Sequence, residues 1–186
     1  MEAFSDGMIA VIITIMVLEL RPPPGTDIGE LWKQLHSQFL VYVLSFVYIG
    51  TYWNNHHHLL RATPHIDGAV MWANLHLLFW LSLIPASTAW AGEDLAARWP
   101  AVVYGAIALL SGVAYGILQG VVCRANKGTD IERAIGGDFK GKISLVIYGA
   151  GTLLGLLGIH YLPYLVYACV EAIWFIPDRR LVGRDG

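Results

Sequence analysis

Long apolar stretches separated by short polar ones make up most of this chain, and that pattern restricts its fold more than any other feature. Of the 186 residues, 56% are hydrophobic and 14% are charged, and the mean hydropathy is +0.54. A soluble domain carries about a quarter charged residues, and a single soluble core could not bury so much apolar surface. Lipid-facing side chains need no polar cover, so the composition predicts an integral membrane protein. The net charge of −2 gives no reason to expect a nucleic-acid partner.

Six apolar stretches approach the roughly 20 residues that cross a bilayer, and they predict an all-α, six-helix transmembrane domain over residues 1–186. The first stretch ends at Arg21 and three prolines, because proline cannot continue a helix. The segment Gly25–His36 is expected to be an amphipathic interfacial loop. The last two stretches favour a hairpin with its turn at Tyr161–Tyr164 over one broken helix. The expected spans are about Ala3–Leu20, Ser37–Leu60, Asp67–Ala91, from after Trp99-Pro100 to Val122, Ile143–His160 and Leu165–Ile176.

The distribution of Lys and Arg predicts the orientation of the chain in the membrane. Cytoplasmic loops carry an excess of these residues, and six spans place both termini on one side. Of the twelve basic residues, only Arg21, Lys33 and Arg98 fall on the opposite side. Both termini are therefore expected in the cytoplasm. The chain is expected to cross a bacterial inner membrane several times.

The first span carries a stripe of residues three and four positions apart, and such residues share one face of a helix. The stripe consists of Phe4, Gly7, Val11, Thr14 and Leu18. If it faces an axis, it makes a narrow, mostly apolar pathway with one ring of hydroxyl groups. The alternative for the threonine is a hydrogen bond back to its own helix. Glu19, which follows the stripe, is either an interfacial residue or an acid that concentrates cations at a pore mouth.

Polar residues inside a membrane are the first candidates for function, and several lie at similar depth in the first three spans. Ser5 and Asp6 suit either a helix N-cap or a buried network with polar residues of the second and third spans. The candidate network partners in those spans are Trp53, His56, His57, His58, Asn74 and His76. Three consecutive histidines point in directions about 100° apart on a helix, so a shared metal ion is not expected and the network is favoured.

The sequence Phe4-Ser5-Asp6-Gly7, followed by an apolar run interrupted by Thr14 and ending at Glu19, resembles the first helix of the prokaryotic TMEM175 potassium channels. The resemblance extends over essentially the whole chain. It continues at Trp53 and the following histidines, at Asn74-Leu75, at Pro85 and at residues 174–178. The family usually has an arginine shortly before the Phe-Ser-Asp motif, and no arginine precedes Phe4 here.

This resemblance implies a homotetramer in which the first helix of each six-helix subunit lines a central pore. By position in the motif it implies an apolar constriction at Val11, a hydroxyl ring at Thr14 and an outer apolar ring at Leu18. Valine is smaller than the isoleucine or leucine that the family often has at the constriction, so a less selective pore is expected. Monovalent cations are the expected partners besides the bilayer. No cofactor is expected, and potassium is the expected permeant ion.

The residues alone leave two other classes of protein possible. A metal-binding membrane enzyme or transporter centred on His56, His57 and His58 would need a convergent set of acids or a nucleophile, and only Asp67 and Ser5 are near in the sequence pattern. A scaffold without transport would use Val11, Thr14 and Leu18 for packing alone. The favoured interpretation is a potassium-permeable channel, which is not an enzyme.

Overall fold

The fold is entirely helical over the residues that the structure, a computed structural model, describes: 1–21, 26–129 and 139–174. It comprises α1 (Glu2–Leu18), α2 (Ile28–Arg61), α3 (Gly68–Ser82), α4 (Ile84–Glu93), α5 (Arg98–Ala125), α6 (Phe139–Leu156) and α7 (Leu162–Trp174). Because α3 and α4 form one stretch interrupted at a single residue, these helices correspond to the six predicted spans. The expected proline stop at residues 22–24, the middle of the polar loop before α6 and the motif residues after Trp174 lie outside the described residues.

The segment predicted as an interfacial loop at Gly25–His36 is instead helical from Ile28 onward, and that prediction was wrong. Asp27 lies at the N-cap of α2 and its carboxylate accepts a hydrogen bond from the Gly29 amide. An acidic cap of this kind satisfies a free amide at the start of a helix. The 34 residues of α2 span about 50 Å, whereas the hydrocarbon layer is about 30 Å thick. Helix α2 is therefore longer than one crossing of the membrane core requires.

The third span, predicted as one helix over Asp67–Ala91, is broken at Leu83. Pro85 causes the break, since it has no amide hydrogen to donate to the carbonyl of Leu81 and its ring clashes with that carbonyl. The side chains of Ser87 and Thr88 donate hydrogen bonds to the Ile84 carbonyl at 3.0 and 2.7 Å. These bonds satisfy the two hydroxyl groups within their own helix.

The last two spans form the predicted antiparallel hairpin, with shifted bounds. The turn runs through Gly158 and Tyr161, both of which have positive φ angles (75° and 59°), and α7 begins at Leu162 instead of Leu165. Contacts pair the start of α6 with the end of α7. Trp174 Nε1 donates to Ser144 Oγ at 2.9 Å, and the Tyr148 hydroxyl donates to Glu171 Oε1 at 2.5 Å.

Polar contacts between the helices and loops lie at the two ends of the bundle. Glu2, His57, Asn126 and Trp174 lie at the end that holds the N-terminus, where Asn126 bonds the backbone of His65 at 2.9 and 3.0 Å. At the other end, Ser37 donates to Gly92 O at 2.9 Å and the His160 ring bonds Ala96 O at 2.6 Å. The start of α1 and the end of α7 thus share one end, as an even number of spans requires. The side of the membrane on which that end lies stays a prediction.

By length and composition, two described stretches could each cross a membrane: Gly68–Glu93 and Arg98–Ala125. The second of these, α5, packs against α3, α4, α6 and α7 and is the central helix of the subunit. Buried tyrosines fill the space around it, and two of their hydroxyl groups bond carbonyls of α5 itself. Tyr48 donates to Ala108 O and Tyr167 to Ala101 O, at 3.0 and 3.2 Å. Such partners are needed because hydrocarbon offers none.

The hairpin depends on close approach at Gly151, where an added Cβ would overlap the Tyr167 ring. We expect Gly151→Ala to lower the free energy of unfolding by about 1–3 kcal/mol through overpacking. The matched control is Gly149→Ala, because a Cβ at Gly149 meets nothing within 4 Å and alanine has the higher helix propensity. Thermal unfolding in detergent measures both. A Gly151→Ala protein as stable as the Gly149→Ala protein would contradict the packing.

Candidate functional site

Helix α1 has two opposed faces. Ser5, Ile9, Ile12 and Met16 are buried against the rest of the subunit. The stripe of Phe4, Gly7, Val11, Thr14 and Leu18 is turned outward, with Val11 54% and Leu18 78% exposed. At 100° per residue the centres of the two faces lie roughly 150° apart. The structure therefore places every residue of the predicted pathway on the side of α1 that the subunit's own core does not cover.

Thr14 bonds back to its own helix, as one of the two interpretations predicts. Its hydroxyl donates to the Val11 carbonyl at 2.8 Å while the side chain stays exposed. A hydroxyl group has one hydrogen and two lone pairs. Because the hydrogen is directed at the helix, the oxygen lone pairs are left for an outside partner. The two interpretations of Thr14 are thus compatible.

Glu19 lies at the C-terminal end of α1 and is half-buried. It lines a groove between α1 and the break in the third span, together with Ile15 of α1 and with Ser82, Pro85 and Ala86. Its position is about 100° from that of Leu18 around the helix. The carboxylate is therefore beside the outward stripe and not on it.

A chain of buried hydrogen bonds fastens α1 to α2 and α3. Asn74 Nδ2 donates to Ser5 Oγ at 2.9 Å, and Ser5 Oγ donates to the Met1 carbonyl at 3.2 Å. Since the amide nitrogen of Asn74 faces Ser5, its Oδ1 faces His56 and accepts from Nε2 of that ring at 2.6 Å. Ser5, His56 and Asn74 are at most 1% exposed. The arrangement fixes the His56 proton on Nε2.

A second polar cluster lies beside this chain, nearer the surface. Trp53 Nε1 donates to Asp6 Oδ1 at 3.0 Å. His57 Nδ1 is 3.2 Å from a Glu2 oxygen and 3.7 Å from Asp6 Oδ2. Glu2 did not figure among the predicted site residues. The available signal was its spacing, because Glu2 and Asp6 are four residues apart and so share one helical face.

The alternative in which Ser5 or Asp6 caps α1 was wrong. The helix begins at Glu2, and no side chain forms a cap hydrogen bond at its start. Both residues lie in the first turns of the helix instead. The Ser5 hydroxyl is hydrogen-bonded to Asn74 and to the Met1 carbonyl, and the Asp6 carboxylate accepts a hydrogen bond from Trp53.

The three consecutive histidines diverge as their spacing predicts. His56 bonds Asn74, His57 faces the two acids of α1, and His58 is exposed. They do not converge on one metal ion. A different set, one ligand atom each from Glu2, Asp6 and His57, lies within 4.8 Å of one another. In the described part of the chain, these are the residues that could hold a metal ion.

Comparison with known proteins identifies several similar channels. The family model described as "Endosomal/lysosomal potassium channel TMEM175" matches residues 1–85. A protein of Chryseobacterium sp. (strain P1-3) named as a potassium channel is 44% identical over 185 residues, which cover 97% of this chain and 94% of the relative. A Streptomyces collinus protein, also named as a potassium channel, is 35% identical over 61% of this chain and 59% of its own length.

A solved structure shares the fold. The crystal structure of a lysosomal potassium-selective channel TMEM175 homolog from Chamaesiphon minutus aligns with a TM-score of 0.79 and 25% sequence identity. The alignment covers 94% of each chain. The helical architecture described above is therefore that of a channel subunit of known structure.

Asn74 connects α1 to the rest of the subunit, so its replacement tests the buried hydrogen-bond chain. We expect Asn74→Leu to destabilise the protein by about 2–4 kcal/mol, because it leaves His56 Nε2–H buried without a partner and removes the bond that ties Ser5 of α1 to α3. His58→Gln, at an exposed position of the same region, is the control and should be neutral. Thermal unfolding in mild detergent measures the difference. Equal stability of the two variants would show that the chain does not hold α1 in place.

Proposed function

Because the chain belongs to the TMEM175 family of potassium channels, we propose that it forms a potassium-permeable cation pore lined by α1 of each subunit. The protein is a membrane protein and not an enzyme, since its relatives are named as channels. The proposed location is a bacterial inner membrane, with the chain crossing it several times as one transmembrane domain.

One observation carries the proposal: the stripe of Val11, Thr14 and Leu18 points away from the core of its own subunit. One copy of this face cannot enclose a pathway, so a closed pore requires several copies around an axis. Four copies follow from the family resemblance of the α1 motif. The homotetramer is therefore part of the proposal.

The three stripe residues supply different chemistry along such an axis. Val11 makes the narrowest apolar ring, which excludes water when it is dry and so acts as a gate. Thr14 offers hydroxyl oxygens to a partly dehydrated cation, since its hydrogen is already donated to the Val11 carbonyl. Leu18 forms an outer apolar ring. Glu19 follows it and raises the local concentration of cations at the mouth.

Ser5, Asp6, Trp53, His56, His57 and Asn74 have a positioning role in this proposal. They fix the rotation of α1 about its own axis, because the bonds to α2 and α3 attach to one face of the helix. Rotation decides which side chains face the axis. The polar cluster near the N-terminus thereby sets the orientation of Val11 and Thr14 without touching the ion.

The tetramer gives the first test. Native mass spectrometry from mild detergent is expected to yield the mass of four 20.5-kDa chains. Cross-linking between subunits in native membranes should stop at the same number. A monomer in both experiments would contradict the proposal, because one copy of α1 cannot enclose a pathway.

Side-chain size at Val11 gives the second test. We expect Val11→Phe to abolish potassium flux into liposomes, since four rings would fill the axis, and Val11→Asn to raise flux by wetting the constriction. The matched control is Val146→Phe, the same change at a position of α6 that is 70% exposed. Wild-type flux in both Val11 variants, measured at equal tetramer yield, would exclude α1 as the pore lining.

The hydroxyl group of Thr14 gives the third test. Thr14→Ala should reduce the preference for potassium over sodium without closing the pore, and Thr14→Ser should keep most of it because the lone pairs remain. The reversal potential under mixed potassium and sodium gradients measures the preference. If Thr14→Ala keeps the wild-type reversal potential, the hydroxyl does not coordinate the ion.

A further inference from the structure

Two acids of α1 and one histidine of α2 converge at the end of the bundle that holds the N-terminus. His57 Nδ1 is 3.2 Å from Glu2 Oε1 and 3.7 Å from Asp6 Oδ2. One ligand atom from each of the three residues lies within 4.8 Å of the other two. The pore proposal uses Asp6 and His57 only to position α1, and it gives Glu2 no role.

The cluster carries more negative charge than its histidine can balance. In the described part of the chain, both acids form their ion pairs with His57. A neutral imidazole offers no charge, and a protonated one offers a single positive charge against two carboxylates. Two carboxylates this close disfavour each other's charged form. A divalent cation between them would remove that repulsion.

His57 Nδ1 is an unsatisfied atom. It is buried and forms no hydrogen bond to any described residue, although the side chain as a whole is 27% exposed. Since oxygens of both acids lie within 3.7 Å of it, an ion between the two carboxylates would reach Nδ1 directly. The Trp53 ring lies at 30° to the imidazole with the centroids 5.8 Å apart, which restricts the orientation of that ring. A neutral imidazole held in this way is a suitable metal ligand.

We propose that Glu2, Asp6 and His57 form a binding site for one divalent transition-metal ion per subunit. Zn²⁺ binds imidazole nitrogen and carboxylate oxygen at about 2.0–2.2 Å, so neighbouring ligands of a tetrahedral site are about 3.3–3.6 Å apart. The two distances from Nδ1 bracket this range. The imidazole ligand favours zinc-like ions over Mg²⁺ and Ca²⁺, which take oxygen ligands. Water takes the fourth position.

The surroundings of the acids suit the same role. Trp53 Nε1 donates to Asp6 Oδ1 at 3.0 Å, so Oδ2, the oxygen that faces His57, is left for the ion. Ligating carboxylates are commonly held by outer hydrogen bonds of this kind. Glu2 and Asp6 are four residues apart and share one face of α1. Their side chains are 44% and 32% exposed, which gives an ion access from solvent.

An ion in this site would join two helices, because α1 supplies two ligands and α2 supplies the third. An ion that binds only the folded protein stabilises it. The site would therefore strengthen the attachment of α1 at its N-terminal end. It does not depend on the outward stripe of α1, so its failure would leave the pore proposal intact.

The test is equilibrium dialysis of the purified oligomer, without an affinity tag, against Zn²⁺. Titration with Co²⁺ adds a visible absorption that intensifies in tetrahedral coordination. We expect one ion per subunit and a rise in unfolding temperature of at least about 3 °C. His57→Gln should lower the affinity more than about a hundredfold and Trp53→Phe about tenfold, since loss of a ligand costs more than loss of its outer hydrogen bond.

The matched control is His58→Gln, which removes the neighbouring exposed imidazole that is not among the ligands. It should keep the wild-type affinity. Glu2→Gln tests the site if His57→Gln fails to fold, because Glu2 is the most exposed ligand and the amide keeps its shape. This change should weaken Zn²⁺ binding at least about tenfold. Substoichiometric binding to the wild-type protein, or wild-type affinity in Glu2→Gln or in folded His57→Gln, would overturn the proposal.

Discussion

The attachment of α1 to its subunit by one face is the constraint on which the rest of the arrangement depends. In hydrocarbon a polar side chain has to find its partner within the protein. The buried hydrogen bonds between Ser5, Asn74 and His56 meet this need and link α1, α2 and α3. Below them, Ile9, Ile12 and Met16 continue the same face into the core. Since these contacts use only one side of the helix, the opposite side is left to something outside the subunit. The pathway proposal follows from this asymmetry.

Much of the fold could be predicted from the lengths of the apolar stretches alone, because the thickness of a bilayer restricts each span. The first and last residues of the helices could not be predicted in this way. The start of α2 was missed since an amphipathic helix and an amphipathic loop have similar composition, and the capping of Gly29 by Asp27 is a local detail. The break at Leu83 had a visible signal in Pro85. Proline within a span can bend a helix or interrupt it, and only the packing of α4 decides which.

The candidate site was predictable to the level of faces and depth. Helical spacing places Phe4, Val11, Thr14 and Leu18 on one side, and this side proved to be the exposed one. The pairing of Trp53 with Asp6 and of His57 with Glu2 was not predictable, because it depends on the rotation of α2 relative to α1. Tyr148 could not be predicted as the partner of Glu171, because 23 residues and a hairpin turn separate the two side chains.

The outward face of α1 has a consequence for biogenesis. In water, an exposed surface such as Val11 and Leu18 would drive immediate association, but lipid tails are as apolar as these side chains and solvate them without a penalty. The one polar group of that surface in the middle of the helix, the Thr14 hydroxyl, has its hydrogen satisfied by its own backbone. A newly inserted subunit can therefore complete its fold alone in the bilayer. In the proposed tetramer, association of the folded subunits is then a separate and later step.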